Sequence, residues 1–239
     1  MIGVEELTGQ ARAEAVRDVF RRIAPRYDLM NQVMTFGLDR DWRRFVIRKA
    51  ALPRGGKLLD IATGTGDLAF EGMKQVAGVT AVGVDFAPMM MLYGKKRPLG
   101  DQVEWIAGDA LHLPFPDATF DAVTHGFLMR NVIDIPGALA EQYRTLKPGG
   151  RLAFLETTPP RDDLLRPFLL FYLRHIIPII GTILTGHADA YNYLPNSTIG
   201  FRAPDEITAL MRDAGFVDVQ YRTFMFHTVA VHWGQKLAP

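Results

Sequence analysis

Near the end of the chain, "VDVQYRTF" and "HTVAVHWGQKL" are two runs rich in β-branched and aromatic residues, joined by a very short link. Such a link leaves no room for a crossover helix and forces an antiparallel pair. The chain upstream has a different rhythm. "KLLDIA", "VTAVGVD", "QVEWIAGD", "FDAVTHG" and "GRLAFLE" read as short buried strands, with helices over residues 67–76, "PMMMLYGKK" and "IPGALAEQYRTL" between them. Apolar strands alternating with amphipathic helices argue a parallel sheet wrapped on both faces. "PDEITALMRDAGF" then reads as a helix before the terminal pair. The expectation is an α/β fold: a Rossmann-like, mainly parallel seven-stranded sheet closed by a C-terminal antiparallel hairpin.

Residues 10–24 form an amphipathic helical pattern, with Ala15, Val19 and Ile23 one turn apart, and a second helical stretch covers "DRDWRRFVIRKA". Residues 1–50 are therefore expected to be a helical lid. Residues 51–239 are expected to be the catalytic domain, with a helical insertion at about 160–200. The 239 residues, 48% hydrophobic, suffice for a real core. With 27 basic against 26 acidic residues there is no surplus to neutralise a phosphate backbone, so no nucleic-acid partner is expected. The absence of cysteine excludes disulfides, thiolate metal sites and a cysteine nucleophile. The six histidines show no metal-ligand spacing, so no metal is expected. The start of the chain has no signal-peptide pattern, which makes a cytoplasmic location the expectation.

The first strand runs into "LLDIATGTGDLA". In a doubly wound sheet the ligand sits beyond the strands' carboxyl ends, at the first strand-to-helix turn. Gly64 and Gly66 permit a sharp turn and a close backbone approach. The loop alone does not choose a cofactor, because Gly64, Gly66 and Ala69 also satisfy a dinucleotide pattern. Asp85, ending the second strand, suits the hydroxyls of a ribose in either cofactor class. Asp109 and Ala110, ending the third, suit an adenine amino group and ring nitrogen. Two acids near the loop, Asp60 and Asp67, favour a ligand with cationic ends over a pyrophosphate. S-adenosylmethionine carries an ammonium and a sulfonium. With the terminal hairpin, this points to a class I S-adenosylmethionine-dependent methyltransferase, against the alternative of a nicotinamide-dependent oxidoreductase.

Over nearly its full length the chain resembles the ubiquinone/menaquinone biosynthesis C-methyltransferases of UbiE/MenG type. The resemblance rests on "VFRRIAPRYDLMNQVMTFGLDRDWRR", "LDIATGTGDLA", "LPFPDATFDAVTHGFLMRNV", "LKPGGRLAFLE", "ADAYNYLPNSTIGF" and "LMRDAGF". It implies methylation of a ring carbon of a polyprenylated quinol such as demethylmenaquinol, in menaquinone biosynthesis. A ubiquinone-branch quinol, another aromatic or lipid acceptor, and a non-catalytic scaffold stay open as alternatives. Cofactor contacts carried over from the family fall on Thr65, Asp85, Asp109, Ala110 and Gly126, the last contributing backbone only. The family's "F-G-L-R-N" is "FLMRN" here, residues 127–131. The resemblance places assistance to quinol deprotonation on Arg130. Arginine is too weak a base at neutral pH, so electrostatic stabilisation of a phenolate is the physical role. Asn131 would hold the ring oxygen or a water, and Tyr27 would close over the site. Tyr191, Tyr193 and Phe127 are candidates for the quinol pocket, with core packing the alternative for the two tyrosines.

"LLRPFLLFYLRHIIPIIGTIL" has the length of a membrane span, but Arg166, Arg174 and His175 lie within it and Pro167 and Pro178 are expected to break it. It reads as one or two insertion helices. Phe168, Leu169, Phe171, Tyr172, Ile176 and Ile179 are expected to offer a polyprenyl groove or a peripheral contact with the inner face of the cell membrane. A buried core helix or a homo-oligomer interface is the other reading. His125, ending the fourth strand, is either a general base or a packed, hydrogen-bonded residue.

Overall fold

A computed structural model describes residues 9–185 and 195–238. Helix α1 (Gly9–Ile23) passes through a 3-10 turn (Ala24–Arg26) into α2 (Tyr27–Met34), and α3 (Asp39–Ala50) follows. Strands and helices then alternate as β1 (Lys57–Ile61), α4 (Asp67–Gln75), β2 (Thr80–Asp85), α5 (Pro88–Lys95), β3 (Val103–Ala107), β4 (Phe120–Gly126), α6 (Ile135–Thr145) and β5 (Leu146–Thr157). The insertion holds α7 (Arg166–Phe171), a π-helical turn (Tyr172–Ile176) and α8 (Ile177–Thr185); α9 (Pro204–Asp213), β6 (Phe216–Phe224) and β7 (Val229–Lys236) complete the chain.

The expected sheet is present. Its order is β3-β2-β1-β4-β5-β7-β6, with β1 to β5 parallel and β7 antiparallel to both β5 and β6. The order reverses beside β1, so the crevice beyond β1, β2 and β4 is the topological switch point. Strand alternation divides the core in two. Leu59, Ile61, Val123, Leu152 and Phe154 pack beneath α6 and α9 with Leu139, Ile207 and Met211. Leu58, Ala122, Ala153, Leu155 and Val231 pack beneath α3 with Trp42, Val46 and Ile47. The β6–β7 turn places three consecutive non-glycine residues, Met225, Phe226 and His227, at positive φ. Thr158 Oγ1 bonds the His227 carbonyl and Thr223 Oγ1 meets His227 Nδ1 at 2.6 Å, which holds the turn in place.

A third cluster joins the N-terminal helices to the insertion. Val19 and Ile23 of α1, Met30 and Met34 of α2, and Leu173 and Ile177 of the insertion bury one another away from the sheet. α2 was not anticipated as a helix: no side chain caps it, and it is held through its buried face. The insertion also departs from expectation. Pro167 and Pro178 fall in the first turns of α7 and α8, where no N–H is needed. The intervening π turn, with Ile177 N–H bonding the Tyr172 carbonyl, carries the helical run past Pro178, so the prolines do not break it. By length and composition Arg166–Ile183 is long and apolar enough to cross a membrane.

Candidate active site

Strand β1 delivers Asp60 to the α3–α4 face, 1% exposed. Its carboxyl accepts from Thr63 Oγ1 at 2.6 Å and, across the register to β4, from Thr124 Oγ1 at 3.0 Å. Burial pushes it up to about 7 despite those bonds. Gly83, opposite on β2, is required here, since a Cβ would stand 2.9 Å from Thr63 Cγ2. Gly66 turns the chain into α4 at φ +89°, where a Cβ would lie 2.6 Å from Trp105 and 2.9 Å from Phe70. It builds the loop and lines none of the cavities described below.

Beyond β1, β2 and β4 opens a cavity lined by Gly64, Asp85, Phe86, Met90, Asp109, Ala110, Leu111 and Gly126, among others. Asp85 accepts from Gly64 N–H and Ala87 N–H, both at 2.7 Å, and burial raises its carboxyl to about 6. The glycine-loop N–H that a pyrophosphate would need is thus already committed to a carboxylate. Among the described residues lining this cavity none is basic. An acid flanked by apolar walls, with a second acid, Asp109, exposed at the rim, fits a nucleoside with hydroxyls and an amino group.

The acids flanking the loop have other partners than the sequence suggested. Asp67 is bound by Arg43 at 3.0 Å and Arg97 at 2.7 Å. Burial opposes its ionisation, but the two guanidinium groups outweigh that and hold it below the usual range. Its charge is therefore answered by protein, and with Asp60 buried in hydroxyls the discriminating charge argument passes to Asp85 and the absence of basic lining. Arg97 also meets Asp28 at 3.1 Å and the Thr65 carbonyl and hydroxyl at 3.0 Å, while Thr65 Oγ1 donates to Asp28 at 2.6 Å. Asp28 lies on α2, so this network ties the N-terminal helices to the glycine loop. Asp28 is accordingly a tether as well as a first-turn residue of α2. A small recess beside the network gathers Asp60, Gly64, Thr65, Asp67, Gly126 and Arg43.

A second cavity lies between the N-terminal helices, the insertion and the β6–β7 turn. Its walls are mainly apolar: Val19, Ile23, Met30, Met34, Trp42, Leu173 and Ile177. At one end stand Tyr27, Asn31 and Arg130. Tyr27 and Phe127 line this cavity, the nucleoside cavity and the small recess alike, so the three spaces meet at these two rings. Burial raises the Tyr27 phenol, partly offset by the Asn31 amide, and keeps it protonated. Phe127 holds φ +60° with its N–H on the Leu155 carbonyl at 2.8 Å.

Arg130, 6% exposed, forms a buried ion pair with Glu156, which is fully buried; this is not a surface salt bridge. Its guanidinium stacks 5.0 Å from the Phe127 ring, and Arg12 of α1 donates to its carbonyl at 3.1 Å. Asn131 takes a different place from the one expected. Its Nδ2 donates to the Phe127 carbonyl at 2.8 Å, closing the loop, and it lines the nucleoside cavity and not the apolar one. Tyr191 and Tyr193 lie outside the described residues. Of the six expected groove residues, Leu169 and Tyr172 line the apolar cavity, joined by Leu173 and Ile177; Phe168, Phe171 and Ile179 project outward, and Ile176 is half-buried outside the cavity lining.

His125 is packed, not poised. Strand alternation turns it to the face opposite Asp60, where it stacks on Phe154 at 4.2 Å, and Phe154 on His232 at 5.0 Å. Burial, with a smaller contribution from His232, lowers it to about 3. It lines none of the three cavities and is unsuited to base catalysis at neutral pH. Residues that the structure brings to the site, without a role read from the sequence, are Arg43, Arg97, Asp28, Asn31 and Glu156. The run "RYDLMN", singled out by the resemblance, contained Asp28 and Asn31, and "DRDWRR" and "LKPGGRLAFLE" contained Arg43 and Glu156; Arg97 lay in none of the quoted runs.

The pattern of the ubiE/COQ5 methyltransferase family matches residues 8–236. A ubiquinone/menaquinone biosynthesis C-methyltransferase UbiE from Desulfotalea psychrophila is 47% identical, over 95% of this chain and 92% of its own. A demethylmenaquinone methyltransferase from Roseiflexus castenholzii is 45% identical over 94% of each. Among solved structures, an S-adenosylmethionine-dependent methyltransferase from Thermotoga maritima aligns with TM-score 0.66 at 21% identity, covering 92% of this chain and 99% of that one. Fold, glycine loop and full-length sequence similarity converge: this chain belongs to the ubiE/COQ5 methyltransferase family.

Proposed function

We propose that this protein methylates a ring carbon of a polyprenylated quinol, demethylmenaquinol, at the expense of S-adenosylmethionine. One observation carries the reading: a long apolar cavity with a polar end opens onto the nucleoside cavity at Tyr27 and Phe127. The names of the relatives supply the acceptor class. When bound, S-adenosylmethionine supplies an electrophilic methyl group on a cationic sulfur. Asp85 would receive its ribose hydroxyls, Asp109 and Ala110 its adenine, and the recess of Asp60, Gly64, Thr65 and Gly126 its amino-acid end.

The quinol ring lies at the Tyr27 end, its tail along Leu169, Tyr172, Leu173 and Ile177. Loss of a ring-hydroxyl proton to water makes the neighbouring carbon nucleophilic. Arg130, buried and ion-paired with Glu156, stabilises the resulting phenolate from the polar end of the apolar cavity. Tyr27 and Phe127 keep the ring facing the nucleoside cavity. The ring proton at the methylated carbon then leaves, the ring regains its aromaticity and the ring oxygen is reprotonated, so the net release is one proton per methyl transferred.

The tail requires an apolar entry. Phe36 (73% exposed) stands in the turn after α2, and Phe168 (74%), Phe171 and Ile183 stand on α7 and α8, next to the walls of the cavity, with Arg166 and Arg174 nearby in sequence. This surface rests on the inner face of the cell membrane, with basic side chains at the headgroups. Flotation with anionic liposomes tests it; sedimentation showing a dimer and no flotation would assign the surface to a second copy instead.

The function is tested by supplying purified protein with S-adenosylmethionine and either a demethylmenaquinol or a ubiquinone-branch quinol, with Arg130→Ala as control. Mass analysis of quinones in cells lacking the protein names the physiological acceptor. Tight S-adenosylmethionine binding without transfer to any quinol refutes the proposal.

A further inference from the structure

The polar end of the apolar cavity holds two buried donors that the protein leaves unanswered, Asn31 Nδ2 and Arg130 Nε. Asn31 is 8% exposed. Its amide nitrogen stands beside the Tyr27 hydroxyl, near enough to offset part of that phenol's burial, yet without the distance and angle of a hydrogen bond. A buried donor left unmade costs about 1–3 kcal/mol, and native chains keep such groups chiefly where a ligand or water completes them.

Nothing in the packing calls for an amide here. Position 31 lies on the buried face of α2, one turn from Tyr27 and from Met34, beside an aliphatic cluster that a leucine or methionine would extend. The bond from Thr35 Oγ1 goes to the Asn31 backbone carbonyl, which any residue supplies. Asn131, the asparagine next to Arg130 in sequence, has its Nδ2 engaged by Phe127 and faces the nucleoside cavity.

We propose that Asn31 is a substrate-binding residue whose side-chain amide donates a hydrogen bond to a ring oxygen of the aromatic acceptor. With Arg130 it forms a two-donor cradle that holds the ring by its oxygen and favours the ionised form. The inference deepens the quinol reading and rests on it. It gives the oxygen contact to α2, so the N-terminal helices carry part of the acceptor site and do not merely cover it.

The test compares wild type, Asn31→Leu and the near-isosteric Asn31→Asp, using S-adenosylmethionine and a short-tailed demethylmenaquinol. Both variants are expected to bind S-adenosylmethionine as wild type does in calorimetry, since Asn31 does not line the nucleoside cavity. Quinol kcat/KM should fall about 10- to 100-fold, the loss of one buried donor. The acid limb of the kcat–pH profile should move to higher pH, further for Asn31→Asp, whose carboxylate repels the ionised oxygen. A purely structural asparagine would leave that limb in place. If Asn31→Leu does not fold, Asn31→Asp decides. Asn31→Asp within threefold of wild type and with an unmoved limb overturns the role of Asn31, whereas wild type inactive on every quinol overturns the substrate and this role with it.

Discussion

Asp60→Asn isolates the cost of placing an acid beneath the glycine loop. The carboxyl of Asp60 is held at about 7 in the folded chain against an ordinary 3.8, mainly by burial. Between those values the folded state retains a proton that the unfolded state has released. Stability from this group is therefore full below about pH 4 and declines as pH rises toward 7. Roughly three pH units at 1.36 kcal/mol each give about 4 kcal/mol. The substituted amide keeps an oxygen for one threonine hydroxyl, and its nitrogen can donate to the other, since a hydroxyl also accepts. Urea unfolding of both proteins from pH 4.5 to 8, at equal m-values, reads the difference directly. Other raised acids, such as Asp85 and Asp28, cancel in that difference. The variant should match wild type at the acid end and exceed it by up to about 4 kcal/mol at pH 8. A difference that stays flat across this range would refute the idea that Asp60 is folded in its protonated form.

Asp60 and Asp85, both raised by burial, make cofactor affinity pH-dependent. A cation in the crevice favours ionised Asp60 and Asp85, so binding should release protons and weaken as pH falls from 7 to 5.5; calorimetry in buffers of different ionisation enthalpy measures this. Gly66→Ala should cost about 2–4 kcal/mol of stability, because the added methyl meets Trp105 and Phe70 at positive φ, and denaturation will show it. Glu156→Ala should cost about 3–5 kcal/mol by leaving Arg130 charged and unpaired, while Glu156→Gln, which keeps a hydrogen bond, should cost less in the same assay.

Some of this was legible from local pattern. The hairpin followed from link length, the parallel sheet from apolar alternation, and the crevice from the position of the glycines and of Asp85 and Asp109 at strand ends. These signals are short-range, since strand period, turn chemistry and the end of a strand are written in neighbouring residues. Partner choice was not legible. Asp67 looks like Asp85 in sequence, yet Arg43 and Arg97 neutralise one and two backbone N–H groups hold the other. His125 and Thr124 are adjacent, but the pleat sends one into an aromatic stack and the other to Asp60. Asn31 and Asn131 read alike, and only the packing of α2 against the insertion turns the first toward the acceptor cavity. The sequence determined which backbone would form and where its ligand crevice would open. The tertiary structure decided which charges remain free for a ligand, because electrostatic partners separated by tens of residues meet only after the chain has folded.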